Sequence, residues 1–259
     1  MFQLGAQLYT LREYAKTADD LAKTLAKVAA IGYKAVQVSG IGPIAPADVA
    51  KACKDNGLTV AGTHIGWADF RDKTDEVIEK HLLWGCKHSA IGALSADYYM
   101  GGLDGMKRFL DELAPVAEKL IAAGLDFSYH NHNHEFIKHN GVTWLETLYA
   151  STDENVLKAE IDTHWIQAGG GNPAKWIRKY PNRQPLLHLK DMTMFYDGTT
   201  KEQRFAPIGE GNLDWDDILA AAAESNCRWY LVEQDNCYGR CPFSCLESSY
   251  KFLKSKGLS

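Results

Sequence analysis

Short runs of β-branched and other apolar residues recur along this chain, separated by stretches in which apolar positions return every three or four residues. The first kind predicts strands and the second amphipathic helices. Eight strand-like runs stand out: residues 2–9 (FQLGAQLY), 34–39 (KAVQVS), 58–65 (LTVAGTHI), 88–93 (HSAIGA), 126–132 (DFSYHNH), 157–164 (LKAEIDTH), 185–191 (PLLHLKD) and 229–235 (WYLVEQD). Helical patterns lie between them. Thr17, with Asp20 three residues on, predicts a capped start for the first, and Gly32 its end. The others run from Pro46 to Asn56, Asp72 to Trp84, Asp104 to Ala123, Thr143 to Ala150, Pro173 to Tyr180, Asp214 to Ser225 and Pro242 to Lys256. The NGL at 56–58 and the AGL at 123–125 stop a helix and lead straight into a strand.

Eight strands alternating with eight helices in 259 residues match the length and order of a (β/α)8 TIM barrel in the α/β class. An open doubly wound sheet would use fewer strands and a glycine-rich phosphate turn, and neither GxGxxG nor GxxxxGK[ST] occurs. No composition break or linker divides the chain, so residues 1–259 read as a single domain. The longest connection, residues 192–213, reads as a lid or substrate loop.

Composition narrows the functional classes. The chain is 46% hydrophobic and 24% charged, with a formal net charge of −5 and no basic block, which argues against a nucleic-acid partner. No apolar run approaches the roughly 18 to 20 residues that span a bilayer, and MFQLGAQLYTLREY lacks the pattern of an export signal. The expectation is a cytoplasmic protein without a membrane partner, whose six cysteines are mostly reduced. Three of them form CYGRCPFSC at 237–245, a spacing unlike known cluster motifs. With Pro242 suited to a helix start, that stretch reads as a loop and a first helical turn.

In a barrel of this kind the active site lies at the C-terminal ends of the strands. Here those ends are polar: Gln37 and Ser39, His64, His130 and His132, then Glu160, Asp162 and His164, then His188, Lys190 and Asp191, then Glu233 and Asp235. Alternation puts Asp162 and His164 on one strand face, and likewise His188 and Lys190. So many ionisable groups converging at a barrel mouth call for compensation, and a divalent cation is the usual one. Carboxylates with an imidazole suit Mn, Mg, Co or Zn. Asp162, His188 and Glu233 come from three consecutive strands, and a fourth ligand should come from the fifth strand, where YHNHNHEF (129–136) lies.

LDFSYHNHNHEF, AEIDTHWIQAGG, HLKDM, PIGEGNLDW and WYLVEQD, with GAQLYTLRE at the start, resemble in order and spacing the sugar phosphate isomerase/epimerase family of xylose isomerase-like TIM barrels. The resemblance implies one divalent metal, manganese first among the candidates, held by Glu135, Asp162, His188 and Glu233. The strand-five assignment follows a subgroup reading YHNHxxEF, because the family's more common E-x-H triplet is here His130-Asn131-His132. His130 is therefore the alternative ligand. The resemblance further implies a metal-dependent sugar isomerase or epimerase in carbohydrate metabolism, with Glu135 and Glu233 as the acid/base pair. His64, His132, His164 and Lys190 would hold substrate oxygens, and Arg204 would meet an anionic group if the substrate carries one. Tyr9, Trp67, Trp165 and Phe195 are candidates for packing against a sugar ring. The alternative chemistry is a β-eliminating lyase on 3-keto-glycosides. A DNA-repair enzyme resembling endonuclease IV and a non-catalytic sugar-binding barrel are further classes, the first disfavoured by the acidic charge. By analogy with the family, dimers or tetramers are expected.

Overall fold

The computed structural model describes residues 3–258. Eight parallel strands close into a barrel: β1 (Gln3–Gln7), β2 (Ala35–Val38), β3 (Thr59–Ile65), β4 (His88–Ile91), β5 (Asp126–His130), β6 (Lys158–Asp162), β7 (Leu186–Leu189) and β8 (Trp229–Val232), with β8 pairing back onto β1. The predicted helices surround it. Thr17 caps Ala18–Ile31 by accepting the Asp20 N–H at 3.2 Å, and Gly32 ends that helix at a positive φ of 124°.

Short elements escaped the periodic reading. A 3-10 turn spans Leu8–Tyr14, and the helices Trp67–Asp72, Ala96–Tyr99 and Thr163–Ala168 cap the strand ends. Each is too short to display a helical period. The connection expected to be a lid or loop instead begins with an antiparallel hairpin, Asp191–Tyr196 against Lys201–Ala206. All six cysteines are free thiols, Cys241 exposed and Cys245 buried. No helix among the described residues is long and apolar enough to cross a membrane.

Alternation inside the barrel stacks side chains in layers. Ala35, Ala61, Leu186, Trp229 and Leu231 form an apolar floor. Gly62 leaves space for that floor, since a Cβ there would lie 2.9 Å from Leu186 Cδ2. Two residues further along their strands come Gln37, His188 and Glu233, and Gln7 and Glu160 point into the same interior; all five are buried. The outward residues, among them Leu4, Val36, Ile161, Leu187 and Tyr230, belong to the larger core between barrel and helices.

Candidate functional site

Strand register sets the centre of the site. β6 and β7 pair so that Asp162 lies beside His188, and β5 pairs His130 with Glu160. His130, Asp162, His188 and Glu233 are all buried, and each offers a ligand-type atom within 4.8 Å of the others. His130 Nε2 is 3.3 Å from Asp162 Oδ2, and His188 Nδ1 is 3.0 Å from Glu233 Oε2 and 3.7 Å from Asp162 Oδ2. Asp162 divides its two oxygens between tasks: Oδ1 accepts the Trp165 N–H and caps Thr163–Ala168, leaving Oδ2 for the cluster. The Lys190 ammonium sits above, 3.0 Å from Asp162, 2.7 Å from Glu233 and 2.9 Å from Asp235.

The charges at this centre are strongly coupled. Burial opposes charge on His188, yet the flanking carboxylates of Glu160 and Glu233 overcome it and raise its pKa to about 10. Burial and the neighbouring His188 charge push His130 down to about 4, so its ring is neutral. Asp162 and Glu233 would be disfavoured as anions by burial, but Lys190 holds both below the usual carboxylate range. Lys190 stays charged for the converse reason, with Asp162 and Glu233 outweighing its own burial. Four carboxylates (Glu160, Asp162, Glu233, Asp235) thus face two cations (His188, Lys190), an excess of negative charge in a place where water is scarce.

A divalent ion fits this centre on three counts. It would offset the excess charge, the donor set of two imidazoles and two carboxylates suits a borderline ion, and His188 already has its far nitrogen held by a carboxylate. A cavity of about 330 Å³ opens above, lined by Tyr9, Ser39, His64, His130, His132, Lys190, Glu233 and Asp235 among others.

The remaining predicted residues divide sharply. Glu135 stands apart from the four-residue cluster: Oε1 accepts from Tyr129 Oη at 2.8 Å and lies 3.0 Å from His134 Nε2, while Oε2 accepts the His132 N–H at 2.8 Å. β5 stops at His130 and a 3-10 turn follows, so this carboxylate turns back to brace the turn. His130, the alternative ligand, occupies the cluster instead. Asp162 and His164 do not share a strand face, because β6 ends at Asp162 and His164 lies in the helix that follows. Its ring stacks on Phe205 at 4.2 Å, with Nδ1 3.2 Å from the Asp191 carbonyl, and it does not line the cavity. Arg204 is tied to Glu202 and lies over the Phe195 ring at 3.3 Å, also outside the cavity lining. Trp67 is core, donating to Tyr98 Oη. His64 and His132 do line the cavity, as does Tyr9. Trp165 stands behind, 5.3 Å from the His132 ring and 5.5 Å from Lys190 Nζ.

Gln7, Gln37 and Glu160 received no role from the sequence, yet they form a hydrogen-bonded polar network at His188 Nε2. Gln37 Oε1 lies 2.6 Å from His188 Nε2 and accepts from Gln7 Nε2 at 2.7 Å, while Gln37 Nε2 donates to Glu160 Oε1 at 2.7 Å. The available signal was parity, since Glu160 lies two residues before Asp162 on the same inward face.

Comparison with known proteins gives a consistent picture. A family model described as xylose isomerase-like TIM barrel matches residues 25–242. A curated relative, the inosose dehydratase of Clostridium beijerinckii, is 28% identical over 161 residues, covering 57% of this chain and 52% of its own length. The chain therefore spans about half the length of the curated relatives it matches. Among solved structures, a sugar phosphate isomerase/epimerase from Parabacteroides distasonis superposes with a TM-score of 0.76 at 22% identity, covering 98% of this chain and 94% of that one. An IOLI protein carrying a zinc atom does so with a TM-score of 0.71 at 14% identity, over 98% and 97% of the two chains.

Proposed function

From the premise that this chain belongs to the xylose isomerase-like TIM barrel family, we propose that it is a divalent-metal-dependent enzyme. It would remove a proton next to a carbonyl of a polyhydroxylated, sugar-like substrate. The observation that carries this reading is the buried cluster of His130, Asp162, His188 and Glu233 at the foot of the cavity. These four residues would hold the ion. When bound, it supplies Lewis acidity toward a hydroxyl–carbonyl pair, which acidifies the adjoining C–H.

The chain's own groups do the rest. Glu233 lines the cavity and is the carboxylate placed to take the proton, and Lys190 beside it offers positive charge to an oxygen that gains electron density. His64 and His132 offer imidazoles to the remaining hydroxyls from the cavity wall. With Glu135 engaged by Tyr129 and the His132 N–H, no second carboxylate faces Glu233 from strand β5. Exchange of protons on opposite faces, as in a two-glutamate epimerase, thereby loses one partner. Loss of a β-hydroxyl or β-alkoxyl group, as in a dehydratase or lyase, needs one base only, and Asp235 next to Glu233 adds an acidic group on the same side. Elimination is the outcome the geometry favours, and the dehydratase relatives support it. Epimerisation is the second reading, with His132, which also lines the cavity, as the other proton carrier.

Incubation of Mn-loaded protein in deuterated water with an inosose, a 3-keto-glycoside and a free ketose tests both. An unsaturated or cleaved product without epimer supports elimination; a deuterated epimer without elimination selects the second reading. Neither a product nor C–H exchange with any of the three counts against the enzymatic proposal itself. The ligand set has its own measurement. His130→Ala is expected to lower the metal content well below one ion per chain, whereas Glu135→Gln should keep the ion and lose thermal stability. Retained metal in the first variant and lost metal in the second would restore Glu135 as the ligand.

A further inference from the structure

We propose that Glu160 is a positioning residue for the metal centre, holding His188 so that its Nδ1 faces Asp162 and Glu233. This rests on the reading that the cluster binds a divalent ion. Glu160 is fully buried one level below the cluster and is absent from the cavity lining, so substrate does not reach it. It acts only through what it touches.

Its contacts are concentrated on one oxygen. Oε1 lies 2.5 Å from His188 Nε2 and 3.1 Å from His64 Nε2, and accepts from Gln37 Nε2 at 2.7 Å, whereas Oε2 is buried without a hydrogen-bond partner. The apolar interior cluster of Ala35, Ala61, Leu186, Trp229 and Leu231 adjoins it, with Leu186 its register partner on β7, and an aliphatic side chain at 160 would simply extend that cluster. A carboxylate at this depth carries a desolvation cost and leaves one oxygen unsatisfied, so packing alone does not account for it.

The arrangement does account for a fixed imidazole. With Glu160 Oε1 and Gln37 Oε1 both on Nε2, that nitrogen must carry a proton. Nδ1 then points at Glu233, 3.0 Å away, and Asp162, 3.7 Å away, where an ion would sit. Carboxylate–histidine pairs of this kind set ring orientation and strengthen the imidazole as a ligand. Gln37 makes the support rigid, because its amide bridges Glu160 and His188 and is itself held by Gln7. His64 adds a second ring, parallel to His188 within 13° and 4.9 Å from it, on the same carboxylate oxygen.

The test is the affinity of the purified full chain for Mn²⁺, by competition with a chelator, in wild type, Glu160→Gln and Glu160→Asp. Gln removes the charge in nearly the same shape, and Asp keeps the charge but withdraws it from His188. Both are expected to weaken Mn²⁺ binding about 10–100-fold. The visible spectrum of the Co²⁺-loaded variants should also shift, which a purely structural role would not produce. Thermal unfolding of the metal-free proteins establishes that each variant is folded. Wild-type affinity and an unchanged Co²⁺ spectrum in a folded variant would overturn the assignment while leaving the metal reading intact. A wild type that binds no Mn²⁺ overturns both.

Discussion

If the proposed function holds, Asp162→Asn is expected to empty the proposed metal site and to slow turnover by about 10³-fold or more, since a bound ion contributes several kcal/mol of charge stabilisation and each 1.36 kcal/mol is tenfold. The substitution is informative because the two oxygens of Asp162 have separate tasks. Oδ1 caps Thr163–Ala168 through the Trp165 N–H, and asparagine is as good a cap as aspartate. Oδ2, which faces His130, His188 and Lys190, is the one whose charge disappears. Lys190 keeps Glu233 and Asp235 as partners, so no buried cation is stranded. Metal analysis beside a thermal melt separates the effects: the ion should be lost while the melting temperature of the metal-free protein stays near wild type. A variant that holds wild-type metal would remove Asp162 from the ligand set.

Asp191→Ala is expected to produce the largest loss of stability away from the buried His130–Asp162–His188–Glu233 cluster. The Asp191 carboxylate gathers five donors: Met192 N and Leu213 N on Oδ1, and Gly209 N, Gly211 N and Trp215 Nε1 on Oδ2. It clasps PIGEGNLDW to the end of β7 and fixes the base of the hairpin that follows. The fit is close, since a Cβ on Gly211 would come within 2.3 Å of Asp191 Oδ1. Hydrogen bonds to a charged group contribute about 1.5–3 kcal/mol each, but five on one group do not add, so the expected cost is about 4 kcal/mol. For a chain of this size that lowers the melting temperature by about 10 °C. Asp191→Asn keeps the shape but turns one acceptor oxygen into an NH2 that faces at least two N–H donors, so it should lose nearly as much. A fall of less than about 2 °C in the alanine variant would show that the clasp contributes little. Phe205 of this hairpin stacks on His164 and lies 5.7 Å from Lys190 Nζ, so loosening the clasp should also weaken the wall behind the cavity.

Much of this was legible in the chain itself. The alternation of PLLHLKD places Leu186, His188 and Lys190 on one face, and all three are buried inward as the period requires. Thr17, Gly32 and Pro242 mark helix ends by chemistry that acts over a few residues. Asp162, His188 and Glu233 were identified as neighbours because each ends a strand, and consecutive strands of a closed barrel lie side by side.

Glu135 and His164 show where that reading runs out. Both lie just past a strand end, where the period of two no longer says which way a side chain points. Glu135 is turned by Tyr129 Oη and the His132 N–H, and His164 by the Asp191 carbonyl and the Phe205 ring. Likewise Asp191 finds its partners 18 to 24 positions further along the chain, at Gly209 through Trp215, although by alternation it was one more polar residue at a strand end. Sequence by itself determined the barrel, its strands and three corners of the charged centre, because periodicity and capping are local and a closed sheet converts strand order into proximity. Only the tertiary structure decided that His130 rather than Glu135 joins those corners, and that Glu160 lies beneath them. Those outcomes depend on where each strand stops and which distant donors wait there, and no local pattern encodes either.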